Sequence, residues 1–384
     1  MTETVIRVAA RGEGVTANGR FVPMSAPGDG VSSDGIVTPG PHHQVPPCRH
    51  FPECGGCQLQ HVDDSAYADF LKDRIASSLA AQGLSAPDIL EPHLSPPRSR
   101  RRAALKAQGG AVGFNAEASH RIVDMRECHV LRPELFALVA PLRRMLKSRA
   151  AIVMTLADQG VDLLLEGVKV EGLEATEAMI AFAQANDLAR LALDDGFGPQ
   201  TIWEPEPVTI TLSGIPVALP IGAFLQATAE GEAVLVAAMR EAVGGATLVA
   251  DLFAGLGTFA LALSAKVYAA EGARDAALAL KAAGAGRGIF ADHRDLFRRP
   301  LDVAELNRFE AVILDPPRAG AKEQAPNLAA CLVPRLAYLS CNPNTFARDA
   351  KLLIEGGYRL LWVRPVGQFR WSTHVELAAA FGRD

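Results

Sequence analysis

Two residues carry the chemistry this chain could perform, Cys341 and Glu376. Cys341 ends a strand-like run, Leu339-Ser340-Cys341-Asn342-Pro343-Asn344, and Glu376 closes Thr373-His374-Val375-Glu376 in the last such run. Open α/β sheets bind ligands at the carboxyl ends of their strands, so a thiol and a carboxylate delivered there converge on one substrate. A thiolate adds to an electron-poor carbon and a carboxylate removes a proton, which is covalent catalysis assisted by a general base. The run Asp315-Pro316-Pro317-Arg318-Ala319-Gly320 brings a shelf to the same edge, held extended by its consecutive prolines. Each residue alone has a plainer reading: a lone cysteine usually packs as a small apolar group, and a strand-end acid is usually solvated. Cys331, which lacks such a setting, keeps the plainer reading.

A second constellation reads as a cofactor site. In VADLFAGLGTFALAL a strand ends at Asp251, Phe253 enters the turn, Gly255 and Gly257 permit close backbone approach, and a helix is expected from near Thr258. The next strand ends at Glu271, roughly 20 residues on, where doubly wound folds place an acid for ribose hydroxyls. The third ends at Asp292, placed to meet an adenine amine, although any acid after a strand can also be a helix N-cap. No GxxxxGKS or GxxxxGKT occurs, which removes the P-loop, and the missing further glycine disfavours a nicotinamide. S-adenosylmethionine fits better. With a methyl donor, the thiol and carboxylate suit carbon 5 of uracil: addition at carbon 6 activates carbon 5, and a base then takes its proton. Gln226 is the candidate donor to the charge that develops on oxygen 4.

These residues need a sheet to hold them. After about residue 206, strands and helices alternate through LVADLF, VYAAEG, GIFAD, EAVILD, RLAYLS, YRLLWVRPV and THVELAAAF, which predicts an α/β, mostly parallel, doubly wound sheet. Residues 45–205 read as a central α+β domain with a helix over SAYADFLKDRIASSLAAQG, a basic strand pair around 98–125, a helix after Pro133 and strands near 151 and 161. Residues 1–44 read as a small β-barrel-like module with Asn18-Gly19 in a hairpin turn, closed by the proline-rich linker TPGPHHQVPP.

In FLQAT, DLFAGLGTF, DPPRAG, LSCNPNTFARD and THVE, in that order and spacing, the chain resembles the RNA uracil-C5 methyltransferases, most of all the bacterial 23S rRNA enzymes of the iron-sulfur branch. The resemblance implies a class I S-adenosylmethionine-dependent methyltransferase domain over 206–384, with Cys341 as nucleophile and Glu376 as base. It sets Gln226, Asp251, Glu271, Asp292 and Asp315 around donor and uracil. It also implies that residues 1–44 form a shortened TRAM-like, oligonucleotide-binding-like module. Thr228 stands where many members have Asn, and Gly367 precedes Gln368-Phe369 where an Asp is common, which bears on substrate identity more than on chemistry.

Cys48, Cys54, Cys57 and Cys128 could together hold zinc or a cubane cluster, and spacing alone leaves both open. The family pattern Cys-x5-Cys-Gly-Gly-Cys implies a 4Fe-4S cluster; His50 and His61 are not counted as ligands. Arg98, Arg100, Arg101, Arg102 and Lys106 concentrate positive charge on a chain of net charge -5, as local phosphate contact requires. That charge excludes nonspecific coating of nucleic acid. The 49% hydrophobic and 21% charged composition is that of a folded protein, and Met1 to Gly14 has no apolar signal core. The expectation is a cytoplasmic monomer, with no membrane contact, acting on 23S rRNA or alternatively tRNA. Two rivals remain: an RNA cytosine-C5 methyltransferase, and a noncatalytic iron-sulfur RNA-binding protein on the same fold.

Overall fold

The computed structural model describes residues 2–85 and 88–383. Its largest sheet contains β1 (Leu248–Leu252), β2 (Lys266–Glu271), β3 (Ile289–His293), β4 (Ala311–Leu314), β5 (Arg335–Ser340), β6 (Arg359–Gly367) and β7 (Glu376–Gly382). They lie in the order β3-β2-β1-β4-β5-β7-β6. β1 to β5 are parallel, and β7 runs antiparallel between β5 and β6. Strands such as AVIL and RLAYLS are apolar almost throughout because helices cover both faces. The helix Ala229–Val243 packs on one face, and Pro343–Glu355 on the other. The strand order reverses between β1 and β4, so a crevice opens at their carboxyl ends, beside Asp251 and Asp315.

The helix expected from Thr258 is only the 3-10 turn Ala260–Ala262, because Gly255 and Gly257 take left-handed conformations and Leu263 is already extended. The central segment also differs from the single α+β unit expected over 45–205. Its own sheet has six strands, in the order Gln200–Trp203, Leu188–Asp194, Gly160–Glu166, Ala150–Ala157, Arg102–Gln108, Ala111–Gly113. The helix Leu173–Ala185 makes the crossover between the parallel strands Gly160–Glu166 and Leu188–Asp194. Residues 64–81, 88–89 and 93–94, however, belong with the C-terminal sheet. Asp64–Ala81 buries Tyr67, Phe70, Leu71, Ile75 and Leu79 in the same core as Phe346 and Val363, and Asp88–Ile89 and His93–Leu94 pair with β6. The physical reason is the apolar stripe of that helix, which matches the face left open between β6 and Pro343–Glu355.

The first strands form a five-stranded sheet around Val5, Val22 and Val31, with Asn18-Gly19 in the turn between Gly14–Thr16 and Phe21–Val22. Among the described residues no helix is long and apolar enough to cross a membrane.

One buried carboxylate fastens the edge of the large sheet. Asp349, fully buried in the helix Pro343–Glu355, accepts hydrogen bonds from the Tyr338 hydroxyl at 2.6 Å and from the Ala321 N–H at 2.8 Å, and pairs with Arg348 at 2.8 Å. It thereby ties β5 to the segment just after DPPRAG. Asp349→Ala leaves the hydroxyl and the N–H without an acceptor and is expected to cost roughly 3 kcal/mol. Urea unfolding checks this, and a loss below about 0.5 kcal/mol would show that the shelf stands without Asp349.

Candidate active site

Three acids crowd the crevice. Asp251, at the end of β1, accepts from the Ala260 N–H at 3.0 Å through one oxygen, while the other is buried with no partner among the described residues. Burial first, then the charges of Asp315 and Glu271, push its pKa up to about 8. Asp315, just beyond β4, is pushed up to about 7 by burial and by Glu271. Glu271 accepts from the Gly255 N–H at 2.8 Å and the Ala273 N–H at 2.6 Å, so the second strand's acid holds the first strand's turn. A Cβ at Gly255 would meet nothing within 4 Å, which leaves room in front of the turn. Phe253 is itself left-handed, at φ 65°, with its ring 5.5 Å from Phe297. Strain of this kind at a non-glycine residue collects at ligand sites. Asp292 is the penultimate residue of β3, which runs on to His293, and one of its oxygens accepts from the Tyr268 hydroxyl at 2.6 Å.

Cys341 lies immediately after β5 and Glu376 begins β7; antiparallel pairing of these strands brings the two together. Cys341 is half-buried. Burial, then the charges of Glu376 and Asp315, push its thiol up to about 11, against a backbone hydrogen bond and Arg318. Glu376 is buried, and burial followed by Asp315 raises its carboxyl to about 8, while the Gln368 amide draws it down. Gln226, also buried, accepts from Gln368 Nε2 at 2.8 Å, and its carbonyl accepts from Arg101 Nε at 3.1 Å. Sequence reasoning missed Gln368 as a site residue. Its only signal was a long polar side chain opening the loop before THVE.

The basic run behaves differently from the phosphate patch expected of it. Arg101 turns inward, donating to the Gln226 carbonyl and pairing with Glu232 at 2.6 Å. Arg100 lies over the rings of Phe369 at 5.2 Å and Phe114 at 5.8 Å. Of the run only Arg98 and Lys106 are exposed, while Arg100 and Arg102 are half-buried and Arg101 is buried. Cys48, Cys54, Cys57 and Cys128 line one cavity with Phe51 and Phe114. Among the described residues, no three His, Cys, Asp or Glu side chains form a group that could hold a single metal ion. His50 accepts from the Arg126 N–H at 2.9 Å, and His61 lies 3.3 Å from the Ser25 carbonyl. Cys331 is buried against the Leu328 carbonyl and Tyr358.

A family model for tRNA (uracil-5-)-methyltransferases matches residues 288–382, the stretch with DPPRAG, LSCNPNTFARD and THVE. A 23S rRNA (uracil(1939)-C(5))-methyltransferase of Aeromonas salmonicida is 30% identical over 372 residues, covering 90% of this chain and 84% of that protein. An uncharacterized RNA methyltransferase of Zymomonas mobilis is 55% identical over 391 residues, 98% of each chain. The fold matches that of the Pyrococcus abyssi tRNA (uracil-54, C5)-methyltransferase, solved in complex with S-adenosyl-L-homocysteine. The TM-score is 0.76 at 22% identity, covering 99% of each chain.

Burial first and then the Glu376 charge push the Cys341 thiol up to about 11, and Glu376, raised to about 8, carries that charge at about pH 9. Glu376→Gln removes that charge, so the Cys341 pKa falls and its alkylation by iodoacetamide at about pH 9 speeds up roughly threefold or more. Peptide mass spectrometry follows Cys341 separately from the other cysteines. An unchanged or slower rate would show that the two groups do not sense each other.

Proposed function

Since this chain belongs to the family of RNA uracil-C5 methyltransferases, we propose that it methylates carbon 5 of a uridine in 23S rRNA with Cys341 as nucleophile and Glu376 as base. The observation that carries the roles is the meeting of Cys341, just beyond β5, and Glu376, at the start of β7, which the antiparallel pairing of those strands brings together at the crevice edge. S-adenosylmethionine supplies the methyl group as an electrophilic cation. The site fits such a donor. Asp251 offers a buried oxygen without a partner among the described residues, Gly255 leaves open space, and crowded carboxyls favour a positive ligand. Glu271, Asp292, Phe253 and Gly255 line the side on which adenosine would lie.

Cys341, having given its proton to solvent, adds as thiolate to carbon 6 and loads negative charge onto carbon 5 and oxygen 4. Gln226 donates to oxygen 4. Once carbon 5 carries the methyl group, Glu376 removes the carbon 5 proton, the ring double bond re-forms and Cys341 leaves as thiolate. The target base must leave its stack to reach the thiol, so it lies in a loop or open region of RNA.

We assign Cys48, Cys54, Cys57 and Cys128 to a 4Fe-4S cluster. What supports this reading is that the four thiols line one cavity and that four cysteine thiolates are the usual ligands of a cubane cluster. Residues 1–44 contact RNA in this reading, and the protein works as a cytoplasmic monomer. The name of the family model favours tRNA as the second reading, and the Aeromonas relative favours 23S rRNA.

Anaerobically purified, cluster-loaded protein with methyl-labelled donor and unmodified 23S rRNA or tRNA in parallel tests this directly. Label is expected in 5-methyluridine of 23S rRNA, at least ~1000-fold slower in Cys341→Ala, with Glu376→Gln stalling after addition as a covalent RNA adduct. Label in tRNA alone would move the substrate to the second reading, and full activity in Cys341→Ala would remove the nucleophile. Donor binding has its own signature. Asp251 and Asp315 are raised to about 8 and about 7, and their charged forms, which attract a cation, prevail above those values. Binding near neutral pH therefore releases protons, and affinity rises from about pH 6 to about pH 9. Calorimetry in buffers of different ionisation enthalpy measures this; proton uptake would contradict it.

A further inference from the structure

Gln368 is 2% exposed and Gln226 is 4% exposed, and their side chains form a short chain of hydrogen bonds whose direction can be deduced. The backbone N–H of Ala227 points at the Gln368 amide at 2.9 Å, and an N–H can only donate. The Gln368 atom facing it must therefore be Oε1, which leaves Gln368 Nε2 as a donor. That nitrogen stands 2.8 Å from the Gln226 amide, so the Gln226 atom facing it must be the acceptor, Oε1. The Gln226 NH2 group is thus turned away from Gln368. Among the described residues it has no hydrogen-bond partner, yet it is not sealed off. One backbone N–H has fixed the polarity of a side chain two amides away.

The surroundings hold this chain in place. Arg101 donates from Nε to the Gln226 carbonyl and from its backbone N–H to the Ala227 carbonyl at 2.9 Å, clamping the segment that carries Gln226. Gly231, in the first turn of Ala229–Val243, leaves the space that Gln368 fills. A Cβ there would stand 2.8 Å from Gln368 Cβ and 3.2 Å from its Oε1. Gln368 also draws down the carboxyl of Glu376, so one amide touches both the base-reading residue and the proton acceptor.

We propose that Gln368 is the positioning residue that makes this enzyme select uracil over cytosine, by forcing Gln226 to present its NH2 group to the target base. The reason is the edge chemistry of the two bases. Position 4 of uracil is a carbonyl acceptor, and position 4 of cytosine is an amino donor. A Gln226 locked as donor pairs with uracil and meets cytosine donor to donor, leaving two buried N–H groups unsatisfied. A glutamine free to flip would accept either base, so selectivity resides in what prevents the flip. This inference rests on Gln226 as the partner of position 4 in the proposed reaction.

Two variants separate polarity from packing. Gln368→Met keeps length and bulk but removes both polar atoms, freeing Gln226 to flip. Gln368→Glu keeps an acceptor for the Ala227 N–H and turns a second acceptor toward Gln226, which must then rotate its NH2 inward and present Oε1. Both are made in the Cys341→Ala background, in cluster-loaded protein. Binding is measured by fluorescence anisotropy with the RNA that wild type methylates, carrying uridine or cytidine at the target position. The preference for uridine is expected to fall at least ~10-fold in Gln368→Met and further in Gln368→Glu, where it approaches parity or reverses. S-adenosylmethionine affinity, measured on the same samples, stays within about twofold, which shows that the fold has survived. Gly231→Ala, which crowds Gln368 from the helix side, lowers the preference in the same direction. An unchanged preference in correctly folded Gln368→Met and Gln368→Glu overturns the inference. A wild type that methylates no uridine overturns the proposed reaction instead, so the two failures are told apart.

Discussion

The crowding of Asp251, Asp315, Glu271 and Glu376 at one sheet edge is the constraint to which the rest of the site answers. β1 and β4 are adjacent parallel strands, so the acids at their ends stand side by side, and burial removes the water that would screen them. The fold lowers part of this cost with backbone N–H donors: Ala260 to Asp251, and Gly255 and Ala273 to Glu271. It leaves the rest, since one oxygen of Asp251 has no partner among the described residues. A site so built favours positive charge, and the same carboxyls, after burial, push the Cys341 thiol up. In the proposed reaction this imposes an order. Thiolate formation becomes easier once a cation offsets the carboxylates, so nucleophile and electrophile are armed together.

The loop that carries Gln368 into His374 is held from outside the C-terminal sheet. The Trp371 carbonyl accepts from the N–H groups of Gln58 and Leu59, both at 2.8 Å, and those residues directly follow Cys57. The Tyr67 hydroxyl donates to the carbonyls of Phe369 at 3.1 Å and Ser372 at 3.3 Å, and Arg370 reaches the Ser95 carbonyl. The Trp371 ring itself is buried in the core of the central sheet. The backbone leading to Glu376 is thus set by the segment that folds around the cysteines. A cluster bound there would act on catalysis mechanically, by fixing the turn from which Gln58 and Leu59 donate, with no electron transfer required.

Much of the site was legible because strand-end residues announce themselves. Asp251, Glu271, Asp315, Cys341 and Glu376 each follow or begin an apolar run, and the alternation of runs places those ends on one edge. Four things were not legible. The helix after Gly257 shrank to one turn, since the two left-handed glycines consume the residues that a helix would need. The run Arg98 to Arg102 read as one charged patch, but Arg101 went to Gln226 and Glu232 instead of to solvent. Residues 64–94 read as part of the central unit because chain order suggested it. Only tertiary packing shows that the apolar stripe of Asp64–Ala81 belongs to the other core. Gln368 was invisible for a related reason: a hydrogen bond's direction depends on which backbone group it faces.

Two of these exceptions, Arg101 and Gln368, meet at Gln226. Arg101 comes from the strand-bearing central segment, Gln226 from the link between the central and C-terminal sheets, and Gln368 from the C-terminal loop, yet all three meet in one network. The residue assigned to reading the base is therefore held from both sides of a seam, by a guanidinium on its carbonyl and an amide on its side chain. Neither sheet alone determines how Gln226 faces its ligand. The pairing of His93–Leu94 with the end of β6 follows the same logic, since it sets the chain that leads into Arg101 beside Gly367, the residue before Gln368.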